Sequence, residues 1–535
     1  MDDRRPVSPQ QRWTLAAAVI GSGMVFLDST VVTVALPAIG QALPTPRFGV
    51  LEAQSYVYNS YLLSLSALLV VAGALGDLHG RRRLFLIGLA GFGVASLLCG
   101  IAPTMEALLF ARILKGAAGA VLVPASLAII TASFADEARG RAFGIWAGAS
   151  AITTILGPLV GGLLVDVWSW RAVFLLNLPL AALGWWITRR HVPESRDPAA
   201  PGGVDLLGAL VVAAAIGGLT FGAIRGQEHG WQEPGAYLAL GIGVIAVGAF
   251  VPLMSSRRSV APLVPLSLFR SRNFAVTNLA TVAIYGSLYV TMYVLVLHLQ
   301  GTLGYNAAAA GLATVPSVLF LAVFSGRFGL LAARYGPRWF MAAGPALMAV
   351  GALLLVRVPA SAEAWRLVVE RPATWAPPTS YLSTALPGLV VFGLGVMVVV
   401  APLTTALMNS VPQERAGVGS AVNNALSRVG PQLATALLFV ALTAAFSAGL
   451  ADRLGAGATE ERIVELSPLN PPGDGLTALE HEVIREASGD AFRLAMLVAA
   501  ALAAVGGVVN AVGIRNPVHA EPHRPAECLP GATPP

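Results

Sequence analysis

Apolar runs of about 20 or more residues recur along this chain from Trp13 to Gly513, and each can cross a hydrocarbon core of roughly 30 Å as a helix. About fourteen such runs can be drawn. They cover approximately 13–39, 51–76, 84–102, 107–131, 142–165, 172–188, 206–225, 236–254, 274–300, 308–332, 339–357, 381–408, 417–446 and 490–513. A soluble domain carries about a quarter charged residues. Here 535 residues contain 12% charged and 56% hydrophobic side chains, so the expected fold is an all-α integral membrane protein.

The net charge of +6 would point to nucleic acid or acidic lipid in a soluble protein, but the arginines cluster in alternate loops. Arg4, Arg5 and Arg12 open the series, followed by Arg81, Arg82 and Arg83, then Arg139 and Arg141, then Arg189, Arg190 and Arg196. Arg257, Arg258, Arg270 and Arg272, then Arg334 and Arg338, and last Arg415 continue it. The intervening loops carry fewer, which by the positive-inside bias puts both termini in the cytoplasm. Cys99 and Cys528 have no metal-ligand spacing and form no disulfide framework, and no metal site is expected. The first run contains Asp28 and lacks a small-residue cleavage site, so it reads as a retained helix. Segments 358–380 and 447–489 read as solvated outer loops, and Pro193 to Val204 as a flexible joint after a six-helix block.

Several motifs sit on this frame. Gly73-Ala74-Leu75-Gly76-Asp77-Leu78-His79-Gly80-Arg81-Arg82-Arg83 follows the second helix. Gly80 can supply a positive φ in a tight turn, Gly73 and Gly76 allow close helix approach, and Asp77 can pair with loop arginines or a helix N-terminus. This stretch resembles the signature loop of the major facilitator superfamily, except that Leu78 stands where that family usually has a basic residue. The fourth helix carries Leu108, Arg112, Lys115, Gly116, Gly119 and Ala120 at the spacing of the family's proton-translocation motif, with Lys115 in place of the usual polar amide. Gly157-Pro158-Leu159-Val160-Gly161-Gly162 in the fifth helix resembles the family's antiporter motif; its proline can kink the helix and its glycines can serve a hinge, a seal or ordinary close packing.

Leu27-Asp28-Ser29-Thr30 through Ala35-Leu36-Pro37, and Trp170-Arg171 through Phe174, Asn177 and Pro179, are similar to the fourteen-helix drug:proton antiporters of that superfamily. Phe269 to Phe274, Gln300 and the segment Arg415 to Gly430 extend the similarity over nearly the whole chain, and Arg334-Tyr335-Gly336-Pro337-Arg338 is a weak second copy of the signature loop. The resemblance implies two pseudo-symmetric six-helix bundles plus two extra linking transmembrane helices, 14 in total. The corresponding division is 1–12 as cytoplasmic N-terminus, 13–188 and 273–513 as bundles, 189–272 as linker and 514–535 as cytoplasmic tail. It implies a monomer in a bacterial inner membrane that exports small, largely apolar organic compounds in exchange for protons, with no cofactor beyond the proton gradient and no nucleic-acid partner. A uniporter or symporter for a metabolite is the alternative. A membrane enzyme finds no Ser/His/Asp set, His-rich cluster or phosphate-cradling loop to support it.

Charged side chains within membrane helices are costly and therefore functional candidates. Asp28, about fifteen residues into its helix and so near mid-membrane at 1.5 Å per residue, is the expected proton carrier. Arg112 lies at a depth that could meet it; a structural ion pair remains open for both. Lys115, the single lysine in the chain, lies one turn beyond Arg112 on the same face and either selects substrate by charge or pairs with Asp28 or Glu106. Arg428, beside Asn423 and Asn424, adds a further polar group. Gln54, Tyr58, Asn59 and Tyr61, then Tyr285, Tyr289, His298 and Gln300, complete the candidate cavity lining, the aromatic groups and His298 having packing roles as their alternative.

Overall fold

The computed structural model describes residues 8–44, 49–134, 136–195, 205–228, 233–256, 266–368, 370–411, 416–454, 468–470 and 476–516. Arg4, Arg5, Arg196, Arg257, Arg258, Arg415 and most of the Pro193 to Val204 joint lie outside them, as do the surroundings of Gly73, Gly76, Asp77, Arg139 and Arg141.

Fifteen α-helices and no strand are found among the described residues. They are α1 (Pro9–Ala42), α2 (Val50–His79), α3 (Arg81–Gly100), α4 (Met105–Ser133), α5 (Asp136–Val167), α6 (Trp170–Leu175), α7 (Asn177–His191), α8 (Leu206–Glu228) and α9 (Pro234–Ser256). Then come α10 (Arg272–Leu297), α11 (Ala307–Tyr335), α12 (Arg338–Leu355), α13 (Leu386–Asn409), α14 (Ala416–Leu454) and α15 (Ala478–Gly513). Among the described residues, ten helical stretches are long and apolar enough to span a bilayer, α6 with α7 counting as one.

Local chemistry sets the helix ends. Ser8 accepts the Gln11 N–H and Gln11 reaches back to the Ser8 N–H, a reciprocal cap that starts α1. Thr104, Ser169 and Asn306 cap α4, α6 and α11 through their side-chain oxygens. The single helix expected over 172–188 is broken at Leu176. Pro179 has no N–H to offer the Leu175 carbonyl four residues back, and its ring crowds that carbonyl, so α6 stops there.

Both ends of the segment 447–489, expected as a loop, are helical. Helix α14 continues to Leu454 and α15 begins at Ala478, where Thr477 and Glu480 form a second reciprocal cap. Arg453 and Glu486, which read as solvated loop, instead decorate these helix ends: Arg453 donates to Glu486 at 3.1 Å and to Asp490 at 2.7 Å, linking α14 to α15. Segment 358–380 is likewise not simply solvated, because Trp365 and Leu367 are buried in it and Trp365 Nε1 donates to the Thr374 carbonyl.

The helices pack in two groups. Within the first, α1 lies on α5, α4 and α7, α2 on α4, and α3 on α4 and α7. Within the second, α12 lies on α13 and α15, α11 on α13, and α10 on α15 and α14. Helix α8 pairs with α9 and also touches α2 and α14. That pair is close because Gly218 and Gly222 face α9, where an added Cβ would lie 2.6 Å from Gly243 N and 2.7 Å from Leu240 N respectively. Ile87, Val94, Phe110, Ile113, Leu238 and Ile245 are among many large apolar side chains on the outside, the surface a lipid environment requires.

Candidate coupling and transport site

Asp28, Arg112 and Lys115 meet inside the first helix group. Arg112 Nη1 donates to Asp28 Oδ2 at 2.5 Å, Lys115 Nζ donates to Asp28 Oδ1, and all three side chains are fully buried. The spacing of α4 explains the pairing: residues three apart share a helix face, so both cations reach one carboxylate on α1. Arg112 Nε also donates to the Val57 carbonyl of α2 at 2.9 Å, while its Nη2 has no hydrogen-bond partner among the described residues. Aromatic rings wall the cluster. The Arg112 guanidinium lies 4.3 Å from the Tyr61 ring centroid, and Lys115 Nζ lies 4.9 and 5.1 Å from those of Phe92 and Phe174. Tyr61 is held by its hydroxyl, which donates to the Val25 carbonyl at 3.2 Å.

Glycine brings these helices close enough. A Cβ on Gly116 would strike Ser64 Oγ and the Tyr61 carbonyl, and one on Gly119 would sit 3.2 Å from Leu65, so α4 lies directly against α2. The glycines of α5 act in two directions. Gly157 abuts Thr30 and Gly161 abuts Val31 of α1, whereas Gly162 abuts the Ala307 carbonyl of α11. Gly311 of α11 in turn abuts the Pro158 carbonyl, so this segment joins the two helix groups backbone to backbone.

Several candidate lining residues take part in the same join. Gln54 Nε2 donates to Asn470 Oδ1 at 2.7 Å, Gln300 Nε2 to the Val34 carbonyl at 3.3 Å, and the Tyr58 ring lies 5.1 Å from that of Tyr293. Asn423 donates instead to Asn278 and Thr281 of α10 at 3.1 and 2.9 Å, within the second group. Tyr285 and Tyr289 are half-buried on α10. Arg428 is buried, and among the described residues its Nε has no hydrogen-bond partner. Asn59 donates to Ser55, and His298 stacks on Phe492 at 4.0 Å with neither ring nitrogen hydrogen-bonded among the described residues.

At the signature loop, Gly80 has φ +103°, the conformation its position requires. Arg81 N donates to the Ser195 carbonyl at 3.0 Å, Arg82 Nη2 donates to the Arg189 carbonyl, and the Arg82 and Arg83 N–H groups donate to the two carboxylate oxygens of Glu194 at 3.1 and 3.2 Å. Glu194 thus caps α3. The second copy has the same construction: Gly336 has φ +86°, and the N–H of Arg338 donates to Asn516 Oδ1 at 3.1 Å.

Glu194, Asn516 and Asp166 escaped the sequence reading. Asp166 Oδ1 and Oδ2 accept the N–H groups of Ala307 and Ala308 at the start of α11. A signal existed for it, since an acid in the last turn of α5 stands at the unfavourable end of its own helix dipole.

A multi-pass helical protein with a buried ionic centre in one helix group and close-packed glycines between groups is built as a membrane carrier. The chain belongs to the major facilitator superfamily, whose family model matches residues 18–435. It is similar to the multidrug resistance protein Stp of Mycobacterium tuberculosis (34% identity, covering 83% of this chain and 78% of the relative). The puromycin resistance protein pur8 of Streptomyces alboniger is 35% identical, covering 83% of this chain and 84% of the relative. The tetracenomycin C resistance and export protein of Streptomyces glaucescens is 31% identical, covering 80% and 75%. Among solved structures, a bacterial homologue of the human lysosomal transporter Spinster shares the fold with a TM-score of 0.62 at 17% identity, over 96% of this chain and 100% of that one. The protein is a transporter and not an enzyme.

Proposed function

We propose that this transporter is a proton-coupled exporter of small, largely apolar organic compounds, drugs, antibiotics or lipid-like metabolites, working by alternating access with the Asp28 centre as its proton site. The observation that carries this reading is the enclosed cluster of Asp28, Arg112 and Lys115. A carrier without ion coupling has no use for three desolvated charges in one bundle, each of which is expensive in lipid. The printed names of its relatives, for resistance to puromycin, to tetracenomycin C and to several drugs, support an exported cargo.

In this reading fourteen spans cross a bacterial inner membrane with both termini in the cytoplasm, and α8 and α9 are added to two six-helix bundles, 13–188 and 273–513, related by pseudo-symmetry. The matched Gly80–Glu194 and Gly336–Asn516 devices support the repeat. Asp166, Gln54, Gln300 and the α5–α11 glycine contacts then belong to the outer seal. Tyr285, Tyr289 and Arg428 are left to meet the cargo. The working unit is a monomer, driven by the proton gradient alone.

The test is proton movement in inside-out vesicles holding a respiration-generated pH gradient, with a panel of cationic, neutral and anionic compounds. Some compounds should collapse the gradient with the wild type and none with Asp28→Asn. Silence of the wild type throughout the panel removes the antiport reading.

A further inference from the structure

We propose that the proton exchanged at this centre is carried by the amine of Lys115, with Asp28 remaining ionised. This rests on the reading of the cluster as a proton site and identifies the atom that titrates. The charge count is the starting point. Asp28 supplies one negative charge, Arg112 a permanent positive one, and Lys115 a second positive one when protonated. If Asp28 took up a proton, two cations would face each other in a fully buried site with no anion between them. If Lys115 gave one up, Asp28 and Arg112 would remain as a neutral pair at 2.5 Å, and the site as a whole would be neutral.

The surroundings of Nζ agree. An ammonium has three hydrogens to place, and among the described residues its hydrogen-bond acceptor is Asp28 Oδ1 alone, the remaining directions meeting the rings of Phe92 and Phe174. An amine tolerates such a site better than an ammonium. Among the described residues, the titratable and charged groups facing it are Asp28 from α1, Cys99 from α3 and Arg112 from α4 itself; Tyr61 of α2 lies against Arg112, and Phe174 of α6 against Nζ. None but Asp28 offers a negative charge at neutral pH.

The sequence points the same way. Of 34 basic Lys and Arg residues, 33 are arginine, and the single lysine stands here, one turn from an arginine in the same environment. Arginine cannot release its proton in a protein, whereas lysine changes charge readily when buried. In the exchange, the Nζ–H bond breaks, its electron pair stays on nitrogen, and the proton passes to water admitted from the cytoplasmic side; water on the outer side supplies the next one. The neutral form removes the repulsion a cationic cargo would otherwise meet, so loading cargo and releasing the proton favour each other.

A chain with one lysine gives one lysine signal. Full-length protein labelled with 13Cε,15Nζ-lysine and reconstituted in lipid is titrated by NMR between pH 5 and 9. The expected result is conversion between the ammonium and amine chemical shifts within that range. A resonance that stays at the ammonium position throughout overturns the proposal, even if wild-type vesicles release protons, since Asp28 would then be the carrier. Lys115→Arg keeps the charge and removes the exchange, so it should abolish compound-driven proton release while the purified variant still melts cooperatively. Retention of wild-type proton release in that variant also overturns the proposal. Absence of proton release in the wild type would strike the coupling reading instead, a different outcome from either.

Discussion

Asp166 and Ala308 are joined across the two helix groups by a 2.8 Å hydrogen bond, the carboxylate of one helix's last turn capping the first turn of another. Its second oxygen accepts the Ala307 N–H at 3.2 Å. An anion at a helix N-terminus contributes about 0.3–1 kcal/mol when exposed and up to about 2 when partly buried. Because the partners lie in different groups, that energy is present only while this end is closed. Asp166→Ala should therefore shift the closed-to-open equilibrium toward opening by roughly 2- to 30-fold. Spin labels on the exposed Trp168 and Leu382 positions, with Cys99 and Cys528 replaced, report the distance across the seal. An unchanged distance distribution would remove Asp166 from the latch.

The α5 glycines allow a sharper comparison, because two neighbours in one motif face different helices. A side chain on Gly157 strikes Thr30 within the same group, whereas one on Gly162 strikes the Ala307 carbonyl of the other. Gly157→Val should thus lower thermal stability by about 1–3 kcal/mol through overpacking in every state. Gly162→Val should leave the isolated groups intact, hold the seal open and cut transport at least about tenfold, which corresponds to about 1.4 kcal/mol. Melting curves and compound efflux measured on both variants check this. Equal effects on both quantities would mean that α5 does not divide its packing as described.

The legibility of this protein in its sequence differs by level. The helix order followed from apolar run length alone, because lipid forces every backbone group to be satisfied within its own segment. Helix ends were less legible where polar residues belong to helices: Arg453 and Glu486 read as loop composition yet pair across α14 and α15, Arg453 also with Asp490. The break at Leu176 was present in the sequence as Pro179 but needed the backbone rule applied to Leu175. Asp28, Arg112 and Lys115 were individually visible as charges in apolar runs. Their arrangement around one carboxylate depends on the rotation of α1 and α4, which no local pattern fixes. Gln54, Tyr58 and Gln300 were recognisable as candidate cavity lining, but their partners lie far away in the chain, at Asn470, Tyr293 and Val34.

Breaking the ionic cluster tests its energetics apart from transport. Arg112→Ala leaves Asp28 with Lys115 alone and removes the guanidinium from the Val57 carbonyl and the Tyr61 face. Removing one member of a buried charge pair costs about 3–5 kcal/mol because the partner remains desolvated. Here the loss should fall toward the lower end, since Lys115 still neutralises the carboxylate. Asp28→Asn should cost more, because it leaves the permanent Arg112 cation, and Lys115 whenever it is protonated, buried without an anion, and Asp28→Asn combined with Lys115→Gln should recover part of that loss. Thermal unfolding in one detergent ranks the three, and a double variant less stable than Asp28→Asn would contradict the charge count.

The caps at the two signature loops each hold the start of one helix. Glu194 accepts the N–H groups of Arg82 and Arg83, and Asn516 that of Arg338, each beside a glycine of positive φ. Losing a helix N-cap oxygen typically costs about 1 kcal/mol. Glu194→Ala and Asn516→Ala should each cost about that much, and less for Glu194 in high salt, because its side chain is exposed and its charge is screened. The two sites are far apart in sequence and share no partner, so their effects should add within roughly 0.3–0.5 kcal/mol in the double variant. A larger coupling would mean that the loops communicate through the helices between them and would recast them as parts of one gate.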